Sequence, residues 1–282
     1  MSDQQLIAYL GPRGTYSEEM ALKFYSHRPA DLIPHSSLYG ALQAVENSEA
    51  AEAIIPIENS LEGAVSVVLD VLAHDVTLQI VQELLLPIDH HLWVQPGTKH
   101  IHEILSHPQA LGQCRRYISE RYPDAKITEV DSTAAAAYQV ASGKPHVAAI
   151  GSSQAGKIYN LEALQSSIQD YPNNCTRFVI LRKKAEPITT KGLVKSSFVC
   201  NINGEKSGSL CDVLQEFSKR SINMTRIESR PTRNRLGEYL FFIDIVDDAD
   251  STKMPEALAI IEKSSLWYKH LGTYPVAEQP SK

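Results

Sequence analysis

The sequence predicts an α/β protein with a βαββαβ ferredoxin-like unit at its carboxyl end. Three observations carry this reading. Short apolar runs alternate with helix-patterned segments through the first two-thirds of the 282 residues. A charged stretch holding Pro187 and Gly192 then breaks the rhythm. Beyond it, strand and helix periodicities follow one another as β, α, β, β, α, β in about 80 residues.

Leu6 to Leu10 is an apolar run ending at Gly11, as a buried strand does. Thr15, with Glu18 three residues on, fits a capping box, so a helix is expected from about Tyr16 to Tyr25. Asp31 to Pro34 forms a second strand, a helix begins near Ser36 and Ser37, and Ala53 to Ile57 forms a third strand. The pattern repeats beyond Val81. Strands are expected over Ile88 to Val94 and Ile127 to Val130, with an amphipathic helix around Ala110 to Arg121 between them. Ser132 and Thr133 cap an alanine-rich helix that stops at Gly143. Val147 to Ile150 is a buried strand, Gly151-Ser152-Ser153 opens another helix, and Asn173 to Leu181 closes this part with one more strand. Such alternation implies mostly parallel pairing, with a ligand crevice outside the carboxyl ends of the strands.

In the last part, Phe198, Cys200 and Ile202 alternate as in a strand, and Leu210, Val213, Leu214 and Phe217 mark one helix face. Ile222 to Glu228 is a strand, and Tyr239, Phe241, Ile243 and Ile245 alternate in another. Met254, Ala257, Leu258 and Ile261 repeat the helical spacing before a final strand, Leu266 to Leu271.

The formal net charge of -6 argues against nucleic acid, which needs a basic face. The short basic run Arg182-Lys183-Lys184 reads as solvated linker. No stretch approaches the roughly 20 apolar residues of a membrane span, and the first residues carry no secretory pattern. Cys114, Cys175, Cys200 and Cys211 lack paired metal spacing and read as reduced thiols, so a cytoplasmic protein is expected.

Three polar blocks stand where apolar runs end: Gly11 to Glu18, Pro56 to Gly63, and Cys175-Thr176-Arg177-Phe178. Together they suggest one small anionic ligand in a cleft. Caps at Thr15, Ser132 and Ser152 would offer helix N-termini to a carboxylate if they converge, and Arg177 would offer a two-pronged donor. Glu58 follows a buried strand; it is either a raised-pKa proton donor or an ordinary carboxylate, for example a partner for Arg177. Thr176 is a poor acid alone but can donate a hydrogen bond. The pairs His90 with His91 and His100 with His102 lack a matching carboxylate set, so no metal is expected.

These blocks, with Ser106 to Cys114 and Asp131 to Ala136, resemble the prephenate dehydratase family, and the final unit with Glu228-Ser229-Arg230-Pro231 resembles its ACT regulatory domain. Ser207-Gly208-Ser209-Leu210 stands where that family usually has Pro-Gly-Ala-Leu. The resemblance covers nearly the whole chain. It implies a two-lobed, periplasmic-binding-protein-like catalytic domain over 1–182, with lobe one about 4–75 plus 160–181 and lobe two about 76–159. A linker over 183–195 and an ACT domain over 196–282 follow. It implies decarboxylating dehydration of prephenate to phenylpyruvate, with no cofactor or metal. Thr176 would assist the leaving hydroxyl, with Glu58 as the alternative proton source, and Arg177 would anchor a carboxylate. Thr15, Asn59, Ser60, Gln113, Ser132, Thr133 and Phe178 would line the site. L-phenylalanine would bind near Gly208, Leu210, Glu228, Ser229, Arg230 and Pro231, and the ACT domains would join chains as a dimer or tetramer. Arogenate as substrate and a non-catalytic sensor are the alternatives.

Overall fold

A computed structural model describes residues 5–143, 145–184, 191–202, 206–233, 235 and 237–278. The elements of the first part run β1 Gln5–Leu10, α1 Tyr16–Phe24, β2 Ala30–His35, α2 Leu38–Glu46, β3 Glu52–Asn59, β4 Gly63–Ala64, α3 Ser66–His74 and β5 Gln79–Pro87. Next come β6 His91–Val94, β7 Glu103–Ser106, α4 Pro108–Gln113, α5 Arg115–Arg121, β8 Lys126–Glu129, α6 Thr133–Ser142, β9 Val147–Gly151, α7 Ser153–Ile158, β10 Glu162–Gln165 and β11 Cys175–Arg182. The last part is β12 Leu193–Asn201, α8 Ser209–Arg220, β13 Asn223–Pro231, β14 Tyr239–Asp248, α9 Lys253–Ser264 and β15 Trp267–Pro275.

The strands form three sheets, ordered β2-β1-β3-β11-β5, β10-β6-β9-β7-β8 and β13-β14-β12-β15. The first two make two lobes. The chain leaves the first sheet through β5, builds the second, and returns through β11. Two expectations change here. β5 pairs along β11, so lobe two begins after Pro87 rather than at residue 76, and β10 still belongs to it, so the return starts after Gln165 rather than at residue 160. Pairing is not mostly parallel: β1 with β2 and β3, and β7 with β8 and β9, are parallel, whereas β11 and β6 run antiparallel to both neighbours. Strands that carry the chain out of a sheet and back lie side by side in opposite senses.

The expected strand over Ile88 to Val94 is interrupted for the same reason. Residues 88–90 form the outward crossing, and 168–174 form the return beside it. The amide of Ile88 donates to the Asn174 carbonyl (2.9 Å), and that of Ile168 to the His90 carbonyl (2.9 Å). Strands β4, β5, β7 and β10 and helix α3 had no counterpart in the sequence reading. β10 is exposed at every position, so its side chains carry no core pattern.

The ferredoxin-like unit packs α8 and α9 on one sheet face, around Phe198, Phe217, Ile243 and Ile261. Its other face is buried too: Val199, Leu240, Phe242, Leu271 and Tyr274 join the core of lobe one with Leu69, Leu72 and Val179. Burial on both sides leaves seven consecutive residues of β12 buried. β15 lies against β5, where Gly272 (φ 138°) brings its backbone up to Ile80; a Cβ there would overlap the Ile80 carbonyl. Lys269 reaches across to the carbonyls ending α3, 2.6 Å from that of Leu72. Of the expected linker, 185–190 lie outside the described residues, and β12 has begun by Leu193.

Candidate active site

Between the lobes lies a cavity of about 320 Å³ whose walls come from both. Thr15 and Tyr16 at the start of α1, Asn59 ending β3, and Thr176 and Phe178 on β11 form one side. Gln113 on α4 and Asp131, Ser132 and Thr133 at the start of α6 form the other, and His90 sits on the crossing. The expected position outside strand carboxyl ends therefore holds for β1, β3, β7 and β8.

Local chemistry fixes each wall. The Thr15 hydroxyl accepts from the Glu18 amide (3.3 Å) and donates to the Leu10 carbonyl (2.9 Å), while Glu18 reaches back to the Gly14 amide (2.6 Å). This is the expected capping box, shifted by one residue on the returning side. Ser132 caps α6 through the Ala135 amide (3.0 Å). The third expected cap, Ser152, does not reach the cavity. Its hydroxyl is fully buried and donates to the Gly14 carbonyl (2.8 Å), tying lobe two to the loop before α1.

A chain of side-chain amides lies across the cavity floor. Asn59 is set by two backbone donors, the amides of Leu61 (2.9 Å) and Glu62 (3.1 Å), which both point at its Oδ1. Its Nδ2 therefore faces inward and donates to Thr176 Oγ1 (3.0 Å) and to Asn174 Oδ1 (2.8 Å). Asn174 Nδ2 in turn donates to Gln113 Oε1 (2.8 Å). With its oxygen already accepting, the Thr176 hydroxyl is left to donate into the cavity; no acceptor for it stands among the described residues. His90 Nε2 meets the same Gln113 oxygen (2.9 Å), and its Nδ1 meets the Tyr16 hydroxyl (2.8 Å). Burial pulls the His90 pKa below the ordinary histidine value, against the Gln113 hydrogen bond and Asp89.

Thr15, Asn59, Gln113, Ser132, Thr133, Thr176 and Phe178 thus line the cavity as expected, and three other expected residues do not. Ser60 stands outside it, its Oγ accepting from the Cys175 amide (2.9 Å) and pinning β3 to β11. Arg177 and Glu58 project from the opposite sheet face. Successive residues of a strand point to opposite sides, so a Thr176 aimed at the cavity sends Arg177 away from it. Arg177 lies instead in a buried ionic cluster with the ferredoxin-like unit: Nε to Glu83 (2.6 Å), Nη1 to Asp244 (2.6 Å) and to Glu58 (3.2 Å), and Nη2 donating to Tyr274 (2.9 Å). Lys195 pairs with Glu83, Arg226 approaches Glu58 (3.6 Å), and the Ser197 hydroxyl donates to Asp244 (2.5 Å). The carboxylate anchor expected of Arg177 is absent from the cavity, whose lining holds no Arg or Lys among the described residues.

The sequence reading passed over Tyr16, His90 and Asn174. Adjacent histidines at the end of an apolar run read as structural or surface groups once metal spacing fails, and polar residues flanking a crossing carry no periodicity.

In the ferredoxin-like unit, Gly208 (φ 84°) caps α8, with Leu210 in its first turn, and Glu228 to Pro231 end β13. β12 and β13 both run antiparallel to β14, so these two segments share one end of the sheet. Arg230 points to lobe one, binding Asp70 (2.8 and 3.2 Å) on α3.

A family model described as prephenate dehydratase matches residues 7–186, and an ACT domain model matches 203–262. A prephenate dehydratase of Methanocaldococcus jannaschii is 40% identical over 273 residues, spanning 96% of this chain and 98% of its own. One from Lactococcus lactis subsp. lactis is 38% identical over 276 residues, spanning 96% and 97%. The structure of a prephenate dehydratase from Arthrobacter aurescens in complex with L-Phe superposes with a TM-score of 0.89 at 33% identity, covering 98% of this chain and 92% of that one.

Proposed function

Since the chain belongs to the prephenate dehydratase family, we propose that its cleft removes carbon dioxide and water from prephenate to give phenylpyruvate, under feedback by L-phenylalanine. The observation that carries this is the Thr176 hydroxyl, held as an acceptor by Asn59 so that its proton faces the cavity.

Prephenate brings two carboxylates and a ring hydroxyl. As the ring carboxylate leaves as carbon dioxide, its bonding pair moves into the ring and the hydroxyl departs, and the aromatic product supplies the driving force. The protein orients the ring, holds the charges and eases the oxygen away. Thr176 donates a hydrogen bond to that oxygen as charge develops on it. Phe178 and Ile88 offer apolar surface to the ring. The carboxylates meet the hydroxyls of Ser132 and Thr133 and the first turns of α1 and α6, while Thr15, already donating to Leu10, shapes the wall. Each helix end contributes about 0.3–1 kcal/mol, up to ∼2 in a partly buried setting, so this grip is gentler than a fixed guanidinium would give. Asn59, Asn174 and Gln113 hold the floor in register, and Glu58 and Arg177 serve the domain interface.

In this reading the catalytic domain ends with β11 and the ACT domain is the β12–β15 unit. L-phenylalanine binds at the sheet end shared by Gly208, Leu210 and the Glu228–Pro231 segment, supported by the relative solved with L-Phe. The outer strand β13 has one edge without a neighbour in its sheet among the described residues, which suits pairing of ACT domains between chains. The four unpaired thiols suit the cytoplasm. The test is to incubate the protein with prephenate and follow phenylpyruvate absorbance, with arogenate as competitor. No phenylpyruvate would overturn the activity, and faster turnover of arogenate would replace the substrate.

A further inference from the structure

Resting on that reading, we infer that Tyr16 hands the departing hydroxyl its proton and that His90 resupplies Tyr16. The balance requires one proton: a dianion becomes a monoanion, carbon dioxide and water. Thr176 can share its hydrogen but has no source to refill it, because its oxygen is met by the Asn59 amide, which does not titrate. Among the described residues, the titratable groups on the cavity wall are Tyr16, His90, His107 and Asp131. His107 Nδ1 accepts from the Gln109 amide (3.3 Å) at the start of α4, and no hydrogen bond joins Asp131 to another titratable group among the described residues. Tyr16 and His90 form a connected pair.

The amide chain dictates where the His90 protons sit. Gln113 Oε1 already accepts from Asn174, whose orientation follows from Asn59 and two backbone amides. The His90 nitrogen meeting that oxygen must therefore be Nε2–H in every state. Only Nδ1 changes, and it faces Tyr16 Oη at 2.8 Å. The phenol is also 2.8 Å from the Asp89 carbonyl. With His90 neutral, Tyr16 donates to Nδ1. With His90 protonated, Nδ1–H donates to Oη, and the phenol proton turns to the Asp89 carbonyl or to a ligand in the cavity. In the step itself the ring C–O bond breaks with its pair on oxygen, that oxygen takes the Tyr16 proton, and Oη takes the proton from Nδ1. Water leaves, His90 ends neutral, and solvent recharges it before the next turnover.

The buried imidazole gains its charge from the ligand. His90 is 2% exposed, and with no Arg or Lys on the wall among the described residues a bound dianion is the counter-ion that favours its protonation. The other titratable groups facing the pair are Asp89 and His91 on its own segment, Glu19 on α1, and Cys114 after α4.

The experiment compares wild type with Tyr16→Phe and His90→Gln in the prephenate assay across pH, with circular dichroism to establish folding. Gln at 90 can still donate to Gln113 but cannot relay a proton. Both variants are expected to lose at least about 100-fold in kcat, the lower range for general-acid help. Wild-type kcat/KM should fall tenfold per pH unit above the His90 titration, and His90→Gln should lack that limb. A folded variant keeping kcat within about threefold, or an unchanged alkaline limb in His90→Gln, overturns the relay. If His90→Gln does not fold, Tyr16→Phe, which deletes one oxygen, decides. Wild type making no phenylpyruvate at all is a separate result, and it removes the functional reading itself.

Discussion

Replacing Arg177 with Met separates an interface role from a substrate-binding one. The guanidinium sits among Glu83, Asp244 and Glu58, and the Glu83 and Asp244 side chains are 2% and 6% exposed. With Lys195 and Arg226, three cations face three anions, so the substitution leaves one unmatched negative charge indoors. Removing one partner of a buried pair costs about 3–5 kcal/mol. Lys195 still serves Glu83 and Ser197 still serves Asp244, so the loss should fall near the lower bound, about 3 kcal/mol, or roughly 100-fold in the folding constant. Urea denaturation followed by circular dichroism reads this directly, and KM for prephenate should stay within about threefold where the variant is folded. Acid titration adds a sign. Burial pushes the Asp244 carboxyl up, but Arg177, Arg226 and the Ser197 hydroxyl outweigh it and hold it below the usual range. A depressed carboxylate stabilises above its unfolded pKa, and that gain is lost as pH falls through the folded value. The gap between wild type and Arg177→Met should therefore narrow in acid. Wild-type stability with a tenfold higher KM would refute this placement and return Arg177 to the substrate.

Thr176→Ala should lower kcat by at least about 100-fold while Thr176→Ser retains most of it; steady-state rates near wild type for the alanine variant would remove the hydroxyl from the chemistry. Gly272→Ala forces a Cβ onto the Ile80 carbonyl at a positive φ, and should lower stability by about 1–3 kcal/mol in thermal or urea unfolding; unchanged stability would mean β15 does not sit that close to β5. L-phenylalanine titrated into the enzyme should slow turnover and raise the unfolding temperature, because a ligand that binds one folded state stabilises it; no change in either would refute the effector reading.

Periodicity made the βαββαβ unit legible, since Phe198 and Cys200, Val213 and Phe217, and Ala257 and Ile261 all point to one core. It could not reveal that Lys195, Ser197 and Val199 face a second buried surface, because polar residues there pair with charges from another domain rather than following an apolar pattern. Thr15, Asn59 and Thr176 were legible because they stand where apolar runs end, whereas Gln113 was legible only through the family resemblance. Arg177 misled because adjacency in a motif suggests a shared task, whereas a strand assigns neighbours to opposite faces. His90 was illegible: its role depends on Gln113 and Tyr16, both distant along the chain, and spacing carries no trace of that.

Thr176 and Arg177 share a single peptide link, so their Cα atoms stand about 3.8 Å apart. In the proposed reading, the hydroxyl that meets the substrate and the guanidinium held by Asp244 and Tyr274 of the ACT unit are therefore neighbours on β11. A shift of the ACT sheet that drags Asp244 or Tyr274 tugs the very backbone that aims the hydroxyl. On that reading, feedback would reach the cleft through a strand gripped from behind.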